Sequence, residues 1–331
     1  MDEIITMAHG AGGEVTRRLI ESVFAKAFGG PLLTADDAAV LPPVRGKLAM
    51  TTDGFIVSPA FFPGGDIGTL SICGTVNDLA CMGARPLYLT CSFIIEEGFG
   101  VGDLKKVAES MAAKAAEVGA SIVAGDTKVA ARGQCGGVFI TTAGVGEVEI
   151  EGIGGANIRE GDAVIVTGDV GRHGCAILLS RGEFGIEADV ESDCAPLWGV
   201  VRDMADVSEL HAVRDSTRGG VGTVLNELAG ESGVGIEIDE TAVPVDDGVR
   251  GVCGLLGLDP LYMACEGRMV VFAPSENADA VVAAIKKHKG CANAAVIGRV
   301  KKGSPRVTVK TEAGGTRLLP PPGGELLPRI C

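Results

Sequence analysis

Apolar segments of two periods alternate along almost the whole chain, and that alternation restricts the fold to a mixed α/β class. Helical spacing marks EVTRRLIESVFAKAF (14–28), where Val15, Leu19, Val23 and Ala27 share a face, and Gly29-Gly30-Pro31 ends the run. It marks TLSICGTVNDLACMG (69–83), with Ile72, Val76, Leu79 and Ala80 inward. The clearest helix is GDLKKVAESMAAKAAEVG (102–119), lined by Leu104, Val107, Ala108, Met111, Ala115 and Val118, with Asp103 as its expected cap. Strands are expected at 47–57, 86–95, 121–130 and 136–148.

Around 146–162 the composition turns polar and Gly-rich, which predicts a domain boundary. Beyond it come a strand (162–170), a Gly-started helix (217–233), a strand (267–274), a helix (277–290) and a strand (294–300). A length of 331 residues also favours two cores over one. The expected division is 1–150, 151–310 and a tail, 311–331, whose prolines and glycines argue for an extended, mobile segment.

Charge and cysteine content exclude several functions. A net charge of −14 disfavours nucleic-acid binding, which depends on Lys and Arg neutralising phosphates. No apolar run is long enough to span a membrane, and the start of the chain has no secretory pattern. The ten cysteines form no CxxC pair, so the internal ones read as small buried hydrophobes.

Four polar signatures interrupt apolar runs: ADDAAV (35–40), TTDGF (51–55), TVNDLA (75–80) and AGDTKV (124–129). A carboxylate there is costly unless it is paired or binds a metal. Asp36 or Asp37, Asp53, Asp78 and Asp126 are therefore candidate Mg²⁺ ligands that bridge to phosphates, with helix and turn capping as the alternative. Lys128 shares a strand face with Asp126, either to contact phosphate or to form a solvent salt bridge. Neither the GxxxxGK[ST] loop nor GxGxxG in a strand–turn–helix setting is present. In RDSTRGGVGTVLNELA (214–229), Asp215, Thr217 and Arg218 precede a helix start that suits a phosphate or is simply capped. His9 and His173 lie in Gly-rich turns and read as structural. Cys331 is the last residue, so a prenylation box is excluded. It is either an incidental thiol or, on a tail reaching about 60 Å, an acceptor of acyl or carbamoyl groups.

Several of these segments, with others, carry a family resemblance. MAHGAGGE (7–14), DDAAVL (36–41), residues 51–90, AGDTKV (124–129), VTGDVGRHGCAIL (166–178), RDSTRGGVG (214–222) and PRIC (328–331) together resemble the HypE family of hydrogenase maturation proteins. That family lies within the superfamily of aminoimidazole ribonucleotide synthetase, selenophosphate synthetase and thiamine monophosphate kinase. The resemblance implies a two-domain PurM-like α/β (α+β) fold. The N-terminal domain, with a mixed sheet, would bind ATP and form a homodimer. The implied reaction uses ATP and Mg²⁺. A carbamoyl group placed on Cys331 by the carbamoyltransferase HypF is dehydrated to a thiocyanate. The cyanide then passes to iron on the HypC–HypD complex, in the cytoplasm. Implied nucleotide contacts are Asp37, Thr52, Asp53, Asn77, Asp78, Asp126, Asp215, Thr217 and Arg218. Metal ligands are implied among Asp36, Asp37, Asp53, Asp78 and Asp126, and Cys331, Lys128 and Glu266 are the implied reacting and catalytic residues. The alternatives are a relative that activates a small free substrate, and a non-enzymatic scaffold that presents a cysteine.

Overall fold

The structure is a computed structural model that describes residues 4–34 and 36–323. The chain opens with a helical stretch over 13–28: α1 (Gly13–Leu19), a π-helical segment (Ile20–Ala25) and α2 (Lys26–Phe28). There follow β1 (Leu48–Phe55), the small hairpin β2 (Phe61–Phe62) and β3 (Gly65–Asp66), α3 (Ile67–Cys81), β4 (Ala84–Glu96), α4 (Val101–Glu117), β5 (Ser121–Ala130) and β6 (Val138–Val148). Strands β1-β6-β4-β5 form one mixed sheet, in which only β4 and β5 run parallel.

The second half contributes β7 (Ala163–Val166), α5 (Arg172–Arg181), α6 (Trp198–Ala205), β8 (Ala212–Asp215), α7 (Gly220–Ser232), β9 (Gly235–Asp239), α8 (Asp247–Leu256) and β10 (Met269–Ala273). It closes with α9 (Ala278–Ile285), β11 (Ala295–Lys301), β12 (Val307–Lys310) and β13 (Thr316–Leu318). The second sheet runs β13-β12-β9-β11-β7-β10-β8.

The two sheets are covered differently, and the sequence patterns say why. Strand β7 reads AVIV and is buried throughout. Val164 and Val166 pack with Val221, Leu225 and Leu228 of α7, while Ala163 and Ile165 pack with α6 and α9 on the other face. A continuous apolar strand is what a sheet covered on both sides requires. Strands β1, β4 and β6 instead alternate. Their inward residues, among them Phe55, Phe93 and Ile140, join a core with Val76, Leu104 and Met111 of α3 and α4. Their other face is open: Met50 is 75% exposed and Ile94 42%.

Helix α3 joins the halves. Every one of its residues except Asp78 is buried. It packs on the first sheet, while Ala80 and Cys81 belong to a core of the second half with Trp198 and Val201. The close approach of α3 to α4 relies on Gly68, where a Cβ would stand 2.3 Å from the Val107 carbonyl oxygen.

Two local expectations are corrected. Gly100, not Asp103, is the N-cap of α4; Asp103 lies in its first turn, where its charge faces the free N–H groups and pairs with Lys106 at 2.9 Å. The segment from 311 onward also begins as ordered structure, because Thr316–Leu318 adds a strand beside β12. No helix among the described residues is long and apolar enough to cross a membrane.

Candidate functional site

The N-terminal half brings two carboxylates to the boundary between the sheets. Asp53 stands on β1 opposite Thr142, on the face that packs against α3. Asp78 is the one partly exposed residue of α3 and accepts a hydrogen bond from Thr51 Oγ1 at 2.7 Å. The second half brings Asp215 from the end of β8 and Glu266 from the segment entering β10. Those two are neighbours because Asp215 pairs with Met269, and Cys265 N donates to Ser216 O at 3.0 Å.

Electrostatics tie the four acids together. Burial, with the charge of Asp78, pushes Asp53 up to about 6, although Arg218 pulls it down. Asp78 is raised by burial against the opposing effects of Thr51 and Arg214. Asp215 is pushed up to about 7 by burial and by Asp78 and Asp53. Glu266 is held well above the carboxylate range, first by burial and then by Asp215 and Asp193. Mutually repelling carboxyls with little compensating charge mark a place built for a cation or for proton transfer.

Glu266 is held from behind. Its N–H donates to Asp193 Oδ1 at 3.0 Å, and Asp193 Oδ2 lies 3.7 Å from Arg268 Nε. Arg268 is itself fixed by the carbonyls of Asp169 and Gly267. Gly267 admits no side chain, since a Cβ would stand 1.8 Å from Asp193 O.

Asn77, expected to touch nucleotide, is hydrogen-bonded within the chain. Its amide donates to Ala195 O at 3.0 Å and to Glu266 O at 3.4 Å, and its oxygen accepts from Leu197 N at 2.7 Å. It clamps α3 to the second half and helps fix the Glu266 backbone. Arg218, exposed, and Thr217 sit in the turn before α7, where Gly219 and Gly220 take positive φ. A Cβ on Gly220 would meet Met263 O at 2.4 Å, so this turn is pressed against the segment that leads to Glu266.

The remaining predicted residues gather elsewhere. A cavity of about 740 Å³ lies along the edge strand β5, lined by Gly10, Gly12, Thr16, Asp36, Asp37 and Asp126, among others, with Lys128 beside them. Lys128 Nζ and Asp126 Oδ1 form an exposed ion pair at 2.7 Å. Strand register places Asp126 opposite Ser92, which in turn is opposite Thr141, whereas Asp53 is opposite Thr142. Adjacent rows point to opposite faces, so Asp126, Lys128 and Thr52 lie on the open face and Asp53 on the helix face. A single chain thus separates the expected metal set into two groups.

Among the described residues no three His, Cys, Asp or Glu side chains converge to hold a metal ion. Mg²⁺ needs no such cage, because it takes one or two carboxylates and fills its other positions with water and phosphate oxygens. Asp53 and Asp78 fit that demand: both offer oxygen, and the charge of Asp78 opposes ionisation of Asp53. Of the histidines, His9 Nδ1 accepts from Thr6 N at 3.0 Å as part of a cap. His173 is fully buried, bonded through Nδ1 to Ser192 Oγ at 2.8 Å, and pushed down to about 3 by burial. Sequence reading missed Asp193, which carries no motif. It also missed the lining role of Gly10 and Thr16, whose only signal was the Gly-rich start. Cys331 lies outside the described residues.

Comparison with known proteins agrees along the whole chain. Residues 35–148 match the N-terminal domain, and 159–310 the C-terminal domain, of AIR synthase related proteins. The chain is similar to carbamoyl dehydratase HypE of Rhodobacter capsulatus, with 46% identity over 100% of this chain and 99% of the relative. Hydrogenase maturation protein HypE in complex with ATP superposes with a TM-score of 0.94 at 45% identity, covering 98% of this chain and 99% of that one. A HypE–HypF complex superposes with a TM-score of 0.80 at 44% identity, covering 92% and 99%.

Proposed function

This chain belongs to the HypE family of hydrogenase maturation proteins, and we propose that it uses ATP to dehydrate a carbamoyl group carried on its own Cys331. In that reaction the S-carboxamide oxygen attacks the γ-phosphoryl group, and ADP leaves. The C–O bond then breaks with phosphate as leaving group, and the nitrogen loses both protons as the C≡N bond forms. The products are a Cys331 thiocyanate, ADP and phosphate. Phosphorylation is needed because an amide oxygen is a poor leaving group.

The observation that carries this reading is the set of electrostatically linked carboxyls at the joint between the sheets, with Glu266 buried among them. Mg²⁺, when bound to Asp53 and Asp78, neutralises charge on the triphosphate. Arg218, in the turn before α7, supplies positive charge toward the phosphates, and Asp215 and Thr217 orient them. Glu266, positioned by Asp193 and Asn77, loses its own proton when positive charge at the phosphate site offsets its acidic neighbours, and then accepts one from the amide nitrogen. Lys128, with Asp36, Asp37 and Asp126, serves the cavity along β5. Closure of the halves around the cluster excludes water, which would compete for the phosphorylated amide.

The chain works as a homodimer joined through the open face of its first sheet, with the division 1–150, 151–310 and 311–331 that its sequence suggests. Its carbamoyl donor is HypF, and its cyanide acceptor is the HypC–HypD complex. The cytoplasm suits the free thiols found among the described residues, which a reducing compartment preserves.

The test is the mass of the intact protein after incubation with carbamoyl phosphate, the transferase and ATP. Carbamoylation adds about 43 Da to the thiol and dehydration removes about 18 Da. Cys331→Ala is expected to keep ATP binding and lose both changes. A chain without its terminal cysteine that still formed protein-bound cyanide would sink the proposal.

A further inference from the structure

Residues 191–197 form no helix or strand, yet they are fastened along their length. At one end, Ser192 N donates to Pro63 O at 2.8 Å, in the turn between β2 and β3 of the first half. A Cβ on Gly64 would stand 2.6 Å from Ser192 O, so hairpin and segment are in close contact. At the other end, Asn77 of α3 bonds Ala195 O and Leu197 N. Between these ties, Asp193 Oδ1 accepts from Glu266 N at 3.0 Å, and Asp193 O closes over Gly267. Where the Glu266 backbone stands therefore depends on where this segment stands.

His173, on α5, holds the segment from the side. It is fully buried, and its Nδ1 shares a hydrogen bond with Ser192 Oγ at 2.8 Å. Ser192 Oγ also accepts from Cys194 N at 3.2 Å, so two contacts fix the turn that carries Asp193. The imidazole stands nearly perpendicular to the ring of Phe62, with centroids 5.4 Å apart. Its Nε2 has no hydrogen-bond partner among the described residues. An apolar side chain would fill that space without stranding a polar atom, so what the imidazole adds is the bond at Nδ1. Burial pushes the ring down to about 3, so it stays neutral in the working range and carries no proton in the reaction.

We propose that His173 is a positioning residue for the dehydration: through Ser192 it sets the segment that fixes Glu266. This rests on the reading of Glu266 as the base. The test is single-turnover dehydration of the carbamoylated full chain at varied ATP. His173→Leu is expected to lower the maximal rate constant about tenfold or more, because small misplacements of a base are costly. The ATP concentration for half-maximal rate should stay within about twofold, since the site's nucleotide contacts lie elsewhere. A loss of folded protein would instead lower the amplitude and leave the rate constant alone. The conservative variants separate the two ring nitrogens. An asparagine amide reaches the place of Nδ1 and a glutamine amide that of Nε2. His173→Asn is therefore expected to restore the rate, and His173→Gln to be as slow as His173→Leu. Ser192→Ala should be slow too, and adding His173→Leu to it should slow it no further. Equal rates for the Asn and Gln variants, or independent losses in the double variant, would overturn the proposal. Amide exchange at Glu266 reads the same tie without catalysis: His173→Leu should speed it several-fold and His173→Asn should not. If Glu266→Gln still dehydrates its tail, the base assignment falls instead, and the exchange comparison then decides whether His173 holds the segment.

Discussion

Glu266, Asp215 and Asp53 hold protons that the unfolded chain would have lost, because burial and mutual repulsion oppose their ionised forms. For acids shifted upward, the stabilising window lies below the unfolded carboxylate range, near pH 4, and stability declines as pH rises through the folded values. Those values are about 6 for Asp53 and about 7 for Asp215. The nucleotide-free protein is therefore expected to lose thermal stability between pH 5 and 8. The acids shifted downward, such as Asp126 and Asp239, are already ionised there and do not mask the effect. Asp215→Asn should flatten the decline in a pH series of melting temperatures, and a wild-type Tm that rose across the window would contradict it. Asn77 gives a second residue-scale prediction. Asn77→Ala removes a buried acceptor from Leu197 N and two donated hydrogen bonds, which costs about 2–3 kcal/mol in urea unfolding. Its task was not legible in the sequence, since its partners lie far along the chain. The aspartates were legible, because a carboxylate at the end of an apolar run stands out whatever it contacts. Which of them face one another was not, because that depends on strand register across two sheets.

Helix α3 shows how an element can be recognised while its role is hidden. The periodicity of Ile72, Val76, Leu79 and Ala80 marks one inward face. The structure buries other sides too: Ser71, Gly74 and Thr75 are small enough to let the sheet come close, and Gly68 does the same for α4. Small residues carry little hydrophobic signal, so a helix packed on both sides looks amphipathic in sequence. At Gly68 the clearance is a measurable quantity. Gly68→Ala places a methyl group 2.3 Å from Val107 O and 2.5 Å from Ser110 Oγ, so α3 and α4 must separate. A loss of about 1–3 kcal/mol is expected from overpacking, despite the better helix propensity of alanine. An unchanged midpoint in chemical denaturation would show that the helices have slack. The long strands and helices of the first half were plain from pattern alone. The short β8, β9, β12 and β13 were not, because three to five residues cannot establish a period, and their pairing partners are distant.

At the scale of the whole molecule, the asymmetry between the sheets carries the consequence. The seven-stranded sheet is covered on both faces, whereas the four-stranded sheet leaves Leu48, Met50 and Ile94 in contact with solvent, beside Val145, Tyr88 and Phe139. A second copy covering this face would bury those apolar groups. It would also bring the partner's open face up to Asp126, Lys128 and Thr52, the residues that one chain separates from Asp53. In the proposed homodimer the contact is between identical surfaces, so a substitution at Met50 acts twice. Met50→Asp sets two carboxylates into a surface that would otherwise be dry, in a chain already carrying a charge of −14. The dimer is expected to weaken at least 100-fold, about 2.7 kcal/mol or more. Sedimentation equilibrium should then move from twice 33.7 kDa toward the single-chain mass. The fold should survive, because Met50 is 75% exposed in the single chain and contributes little to its core. Circular dichroism and an unchanged urea midpoint would establish that survival. If Met50→Asp sediments as the wild type does, the open sheet face is not the surface that joins the two copies.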